Sequence, residues 1–554
     1  MLIKDRPEVT TLEDGSKIWE NTFNLFKAKV YVPVHNLPDD IINFGLSSPY
    51  LIYFAEKELS QEEAIAFAKK SGLESLASKH GTSVVFISPV CGNWKNAPAG
   101  LFEEIIAYSK IHEYYKDGYA IINNRFTKQC DGYAIRGAIF KTCVFAKNEA
   151  ADYVAENLLK PLQGEGLWGP ADVTPTVCIL ENLSVTPKIE RRNMPVASVN
   201  NSTEINDIIS KASDYTYITE NSDYASVYNN FAGKFRRWGW VGDLQDEPDF
   251  EALNMMEEPG FTTVKTSKDN APGGFLESDA AGTETHKIGY IAYYNKDLFE
   301  KGPAPLVLCF HGGGDSAKHI AQVSQWYKVC HDHNFLLICV ENHLNSTATE
   351  AIELISHLKE KYNIDSTRIY GTGFSMGGCK SWDLFQEYPD YFAGLAPMSA
   401  TFDVGQNFSG RPSLGFHGSG KINDSVIVPL FYAGGEQSPL PELPFQEQRV
   451  LNRMKYTLTT NKVIKKNDAE FENKENWADK ILGISGDKIE QIEDKSRDAI
   501  LTLNYFNSED GNCYTVFGSI NNQGHECRYH TCENAWKFLS QFSRAENGKI
   551  IISK

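Results

Sequence analysis

The pentapeptide Gly373-Phe374-Ser375-Met376-Gly377, set between a strand-like run and a helix-like run, constrains this chain more than any other feature. RIYGT precedes it and GGCKSWDLFQEY follows it. In a G-x-S-x-G turn the serine takes strained dihedrals, and side chains two positions away on either side would clash. Such a turn needs a sheet strand on one side and a helix packed back on the other. It lifts the Ser375 hydroxyl above the sheet, at the positive end of the following helix.

The C-terminal half supplies that sheet. HKIGYIAYYN (286–295), PLVLCF (305–310) and Phe335–Val340 read as strands, and Thr367–Gly371 as a short one. Ala317–His331 and Thr347–Tyr362 have helical spacing of apolar residues. Alternating strands and helices predict α/β architecture, a mostly parallel sheet with helices on both faces. Asn461–Asp498 is strongly charged and is expected to form inserted helices.

The N-terminal half repeats the order. KAKVYVPVHN (27–36) matches 286–295, PYLIYF (49–54) matches 305–310, and TSVVFISPV (82–90) matches 335–343. Glu63–His80 and Leu101–Tyr115 read as helices. Tyr133–Ile139 is aligned with Ile369–Ser375, and Pro175–Leu183 with Val428–Gly435. This alignment puts Ile139 at the place of Ser375 and Ala55, followed by Glu56, at the place of His311. The expected organisation is a degenerate, non-catalytic domain (1–205), a linker with decorated loops (206–285) and a catalytic domain (286–554).

Chemistry concentrates in the second half. His311-Gly312-Gly313-Gly314 directly follows an apolar strand, the position of a glycine-rich oxyanion loop. A backbone N–H of Gly313 or Gly314 would join that of Met376 to hold a developing oxyanion. His311 suits orienting the loop; with Phe374 it is also a candidate for contact with substrate. The general base should follow the last strand, YTVFGSI (514–520), and His525 stands there. His530, His417 and His343 are less well placed. The acid is open. Ser438 occupies the usual aspartate place, leaving Glu442 and Glu436 as candidates and Asp424 as a fallback. His525, Cys527, His530 and Cys532 have the residue types of a zinc site, but four ligands alternating over so short a segment converge poorly. No metal or other cofactor is expected.

These residues resemble the esterases of the polyhydroxybutyrate-depolymerase-like family, which includes feruloyl and acetylxylan esterases and polyester depolymerases. The resemblance rests on PLVLCFHGGG, IDSTRIYGTGFSMGG, Ala396-Pro397-Met398-Ser399 and the late GHE, and covers roughly Gly289–Phe542. It implies an α/β-hydrolase fold and cofactor-free cleavage of carboxylic esters, either acylated carbohydrate or aromatic esters, or short polyesters. A peptidase or acyltransferase on the same scaffold, or a non-catalytic hydrolase-like binding protein, are the competing readings.

Composition narrows the partners. A net charge of −18 disfavours nucleic acid and anionic membrane surfaces. No apolar run approaches the roughly 20 residues of a membrane span. The opening MLIKDRPEVTTLEDGSKIWE has no basic segment followed by an apolar one, so no signal peptide is expected. The 11 cysteines follow no repeating framework, which fits a reducing cytoplasm, although a trimmed secreted chain would look the same. The expected partner is a small-molecule or oligosaccharide acyl ester, and oligomeric state is left open.

Overall fold

A computed structural model describes residues 8–553, apart from 38–40, 43, 45–46, 110, 115–119, 123–136, 167–168, 239–242, 271–279, 314, 342–345, 401–420, 438–446 and 465–484. The chain divides into two compact units, Met1–Pro248 and Asp249–Lys554.

The first unit is built on a sheet of β1 (Thr10–Thr11), β2 (Lys17–Thr22), β3 (Phe26–Val32), β4 (Pro49–Phe54), β5 (Val84–Pro89), β6 (Ala138–Lys147), β7 (Val177–Glu181), β8 (Val196–Val199) and β9 (Thr216–Thr219). Its spatial order is β1-β2-β3-β5-β4-β6-β7-β8-β9. The strands from β5 to β9 are parallel, and β3 joins β5 antiparallel. Every residue of β4 and β5 is buried. That is the signature of strands covered on both faces, and it explains their unbroken apolar runs.

The second unit holds β10 (Met255–Lys265), β11 (Thr285–Asn295), β12 (Ala304–Phe310), β13 (Leu336–Val340), β14 (Ile364–Phe374), β15 (Gly394–Met398), β16 (Leu430–Gly435), β17 (Lys488–Asp494), β18 (Ala499–Asn507) and β19 (Cys513–Ile520). They are ordered β10-β11-β13-β12-β14-β15-β16-β19-β18-β17. β13, β12, β14, β15, β16 and β19 run parallel. This is the α/β-hydrolase arrangement, an antiparallel start, one strand swap and a parallel run. The first sheet has the same swap after its antiparallel start.

Pairing corrects the expected correspondence between the halves. Phe54 faces Ala146 across β4 and β6, and Phe310 faces Gly373 across β12 and β14. The counterpart of Ser375 is therefore Asn148, not Ile139, which lies near the start of β6. Likewise Val177–Glu181 sits beside β6 as Gly394–Met398 sits beside β14, so Leu430–Gly435 corresponds to Val196–Val199 rather than to Pro175–Leu183. Sequence pattern shows which runs are strands, but runs buried on both faces have no alternation to fix their offset.

The expected linker is also corrected. Residues 206–248 complete the first unit with β9, the helix Tyr224–Asn230 and the hairpin Phe235–Trp238/Asp243–Asp246. Residues 255–265 are an edge strand of the second sheet, paired along its length with β11. Its mostly half-buried or exposed side chains explain why it reads as a loop. Lys488–Asp494, expected to be helical, is the opposite edge strand. The expected helix 317–331 is two helices, α1 (Ala317–Val323) and α2 (Trp326–His333), broken where Gln325 turns left-handed at φ 57°.

Candidate active site

The C-terminal end of β14 creates the site. Phe374 ends the strand, Ser375 has φ 53° and ψ −117°, and α3 (Met376–Glu387) starts immediately after it. Such a conformation costs a non-glycine residue roughly 1–3 kcal/mol and persists only where its surroundings enforce it. Here the Ser375 N–H donates to the Met398 carbonyl at 2.9 Å, on the neighbouring β15. The two glycines of the motif have steric reasons. A Cβ on Gly373 would collide with the carbonyl of Gly377, and one on Gly377 with the carbonyl of Phe310.

His525 meets this turn, with its Nε2 2.9 Å from Ser375 Oγ. Its ring lies against Phe374, centroid to centroid 4.8 Å. Phe374 is half-buried. For Nε2 to accept the serine proton, Nδ1 must carry the ring's own hydrogen.

Two residues that sequence reading did not assign hold the histidine loop. Glu526 is buried and paired with the Arg497 side chain, which is itself buried, and its other oxygen lies 3.7 Å from Arg528. Gln523 Nε2 donates to the Glu526 carbonyl at 3.1 Å. The end of β16 closes on the same loop, since Gln437 N–H donates to the Gln523 carbonyl at 3.0 Å. The one sequence signal was a carboxylate directly after the histidine. Arg497 comes from a distant segment.

The loop after β12 runs beside the start of α3. Met376 N–H lies in the first turn of α3, where no intrahelical acceptor exists. A Cβ on Gly313 would strike the Met376 side chain, so this backbone runs directly against the start of α3. Gly314 lies outside the described residues. His311 is buried, with Nδ1 2.7 Å from the Gly312 carbonyl and Nε2 3.3 Å from Glu341 Oε1. Glu341 Oε2 accepts the Ala317 N–H at 2.9 Å. Burial alone would lower the His311 pKa, but the Glu341 carboxylate, with help from Asp315, outweighs it and raises it. Both ring nitrogens are thus engaged within the fold. This fits a loop-orienting role and corrects the substrate-contact expectation for His311. Asp315 is in turn paired with His319 Nδ1 at 2.8 Å.

Glu436 follows β16, and its carboxylate accepts the Ser519 hydroxyl at 3.1 Å. Glu442, His343 and His417 lie outside the described residues. Asp424 is exposed and precedes the N-terminal end of β16, whereas the site lies at the C-terminal ends of the strands. His530 is in the helix after the histidine loop. Among the described residues no cluster is arranged to hold a metal ion, and no helix is long and apolar enough to cross a membrane.

No protein-family model matches the chain. It is 25% identical over 201 residues to the bifunctional acetylxylan esterase/xylanase XynS20E of Neocallimastix patriciarum, covering 35% of this chain and 27% of that one. It is 24% identical over 115 residues to poly(3-hydroxyalkanoate) depolymerase C of Paucimonas lemoignei, covering 17% of this chain and 28% of that one. The matches thus span little more than a quarter of these relatives' length. Among solved structures, the acetyl xylan esterase from Aspergillus awamori aligns over 51% of this chain and 99% of its own, at 12% identity and a TM-score of 0.32. Strand order, elbow and the serine–histidine contact together make the second unit a member of the α/β-hydrolase fold, similar in sequence to named ester hydrolases.

Proposed function

We propose that the second unit is a serine esterase acting through an acyl-enzyme. The observation that carries this reading is the 2.9 Å contact between Ser375 Oγ and His525 Nε2 at a left-handed turn opening a helix. His525 takes the Ser375 proton as the oxygen attacks the ester carbonyl. The N–H groups of Met376 and of Gly313 or Gly314 receive the oxyanion. His525 returns the proton to the departing alcohol, and water then releases the acid by the same route.

The triad acid in this reading is Glu442, with Glu436 as the alternative. The bond from Ser519 to Glu436 supports the preference, because it engages that carboxylate with a neighbouring strand. The substrates are acylated carbohydrates, aromatic feruloyl- or acetyl-type esters, or short polyesters. The similarity to acetylxylan esterase and polyhydroxyalkanoate depolymerase chains supports this range. The first unit is a hydrolase-like partner without catalytic function, a reading supported by Asn148 at its elbow. The setting in this reading is the cytoplasm.

The test is hydrolysis of p-nitrophenyl acetate by the full chain and by Ser375→Ala. Turnover by wild type, lost in the variant, is expected. Equal rates in both, or no turnover by wild type, would overturn the assignment.

A further inference from the structure

Cys527 and Cys532 are drawn together where the sequence had offered a zinc site. Their sulfurs are 3.4 Å apart, and both residues are buried. Cys527 lies two residues after His525, and Cys532 is in the first turn of the helix Tyr529–Leu539. The histidines of that motif do not join them in a metal cluster, since His525 Nε2 is on Ser375. What remains is a pair of thiols bridging the histidine loop to the helix behind it. A disulfide has a sulfur separation of about 2.0 Å, so closure needs only about 1.4 Å of approach.

We propose that Cys527 and Cys532 are a redox-active pair whose disulfide braces the loop carrying His525. Closure proceeds by thiol–disulfide exchange with a disulfide oxidant. One cysteine sulfur attacks the oxidant, breaking its S–S bond and releasing one thiol. The second cysteine then displaces the other half. The two cysteines lose two protons and two electrons, and the oxidant leaves as two thiols carrying them. In a reducing compartment the pair stays open. The ring closed is short, so the entropic gain for the whole unit is small. The effect is local, restricting the segment that presents the imidazole. Burial gates the exchange, because an oxidant reaches these sulfurs only when the loop opens.

The experiment uses the full wild-type chain, equilibrated with oxidised glutathione or with a phosphine reductant, then alkylated in denaturant and digested with trypsin. Cleavage after Arg497, Arg528 and Lys537 puts Cys527 and Cys532 on separate peptides, 498–528 and 529–537. A linked pair of these peptides is expected in the oxidised sample only, with fragmentation assigning the bond to Cys527 and not to Cys513. Amides of 524–528 should exchange hydrogen several-fold more slowly in the oxidised chain. Both thiols alkylated after oxidation, a glutathione adduct in place of the link, or a bond to Cys513 would overturn the proposal. A correct link with unchanged exchange would overturn the bracing role. Cys532→Ser should abolish the link, while the wild-type measurement depends on no variant and on no ester turnover.

Discussion

Asn148 and Ser375 adopt the same backbone conformation, φ 53° with ψ −127° and φ 53° with ψ −117°. Each directly follows a central strand and caps the start of a helix. Each donates its N–H at 2.9 Å to the last residue of the neighbouring strand, Glu181 for Asn148 and Met398 for Ser375. The turns differ in what surrounds them. The Asn148 side-chain amide donates to Glu56 at 2.7 Å, where the second unit has its glycine loop.

The first prediction concerns this conformation. Asn148→Gly and Asn148→Ala both lose the bond to Glu56, but only glycine accepts positive φ without strain. Asn148→Ala should be less stable than Asn148→Gly by about 1 kcal/mol, read from chemical denaturation of the first unit's transition. Equal stabilities would mean that the turn relaxes out of the left-handed region.

The second concerns the two glutamates. With Glu442 as the triad acid, Glu442→Gln should lower kcat for p-nitrophenyl acetate by roughly 10⁴-fold. Glu436→Gln should change it less than about tenfold, since an amide oxygen still accepts the Ser519 hydroxyl. A reversed pattern assigns the role to Glu436.

The third concerns pH and the oxyanion loop. Glu341 raises the His311 pKa in the folded state, so charged His311 contributes stability that is fully present below its unfolded pKa, about 6.5. That contribution is lost as pH rises through the folded value. The wild-type midpoint should therefore fall as pH increases from about 6.5 through that higher value. Glu341→Gln, which leaves a buried imidazole without its anion, should cost about 3 kcal/mol and flatten this dependence. Denaturation midpoints measured from pH 5 to 9 for both chains check it. An unchanged slope would remove His311 from the account.

The fourth concerns the histidine loop. Glu526→Ala leaves the buried Arg497 guanidinium without its anion and should destabilise the second unit by about 3–5 kcal/mol. Arg497→Met with Glu526→Gln together should recover part of that loss, because neither charge is then stranded. A double variant no more stable than Glu526→Ala would show that packing, not charge, holds the loop.

Several features of the site were legible locally. PLVLCF reads as a strand because both of its faces are buried, and the turn at Ser375 reads from glycines that close contacts demand. His525 follows from chain order, and the contact with Ser375 agrees with it. Other features left little local trace. Arg497 and Glu526 form a pair that neither neighbourhood announces, and His311 with Glu341 depends on β12 and β13 lying side by side. The edge strands Met255–Lys265 and Lys488–Asp494 present mostly half-buried or exposed side chains, so their polar composition resembles that of loops or exposed helices.

The sequence by itself determined that Ser375 stands on a strand-to-helix elbow, because the strain of that turn and the apolar strand before it are encoded in adjacent residues. Only the tertiary structure decided what stands at the matching elbow of the first half. Asn148 takes that place through the pairing of β4 with β6, and an apolar run buried on both faces carries no mark of how far it slides along its neighbour.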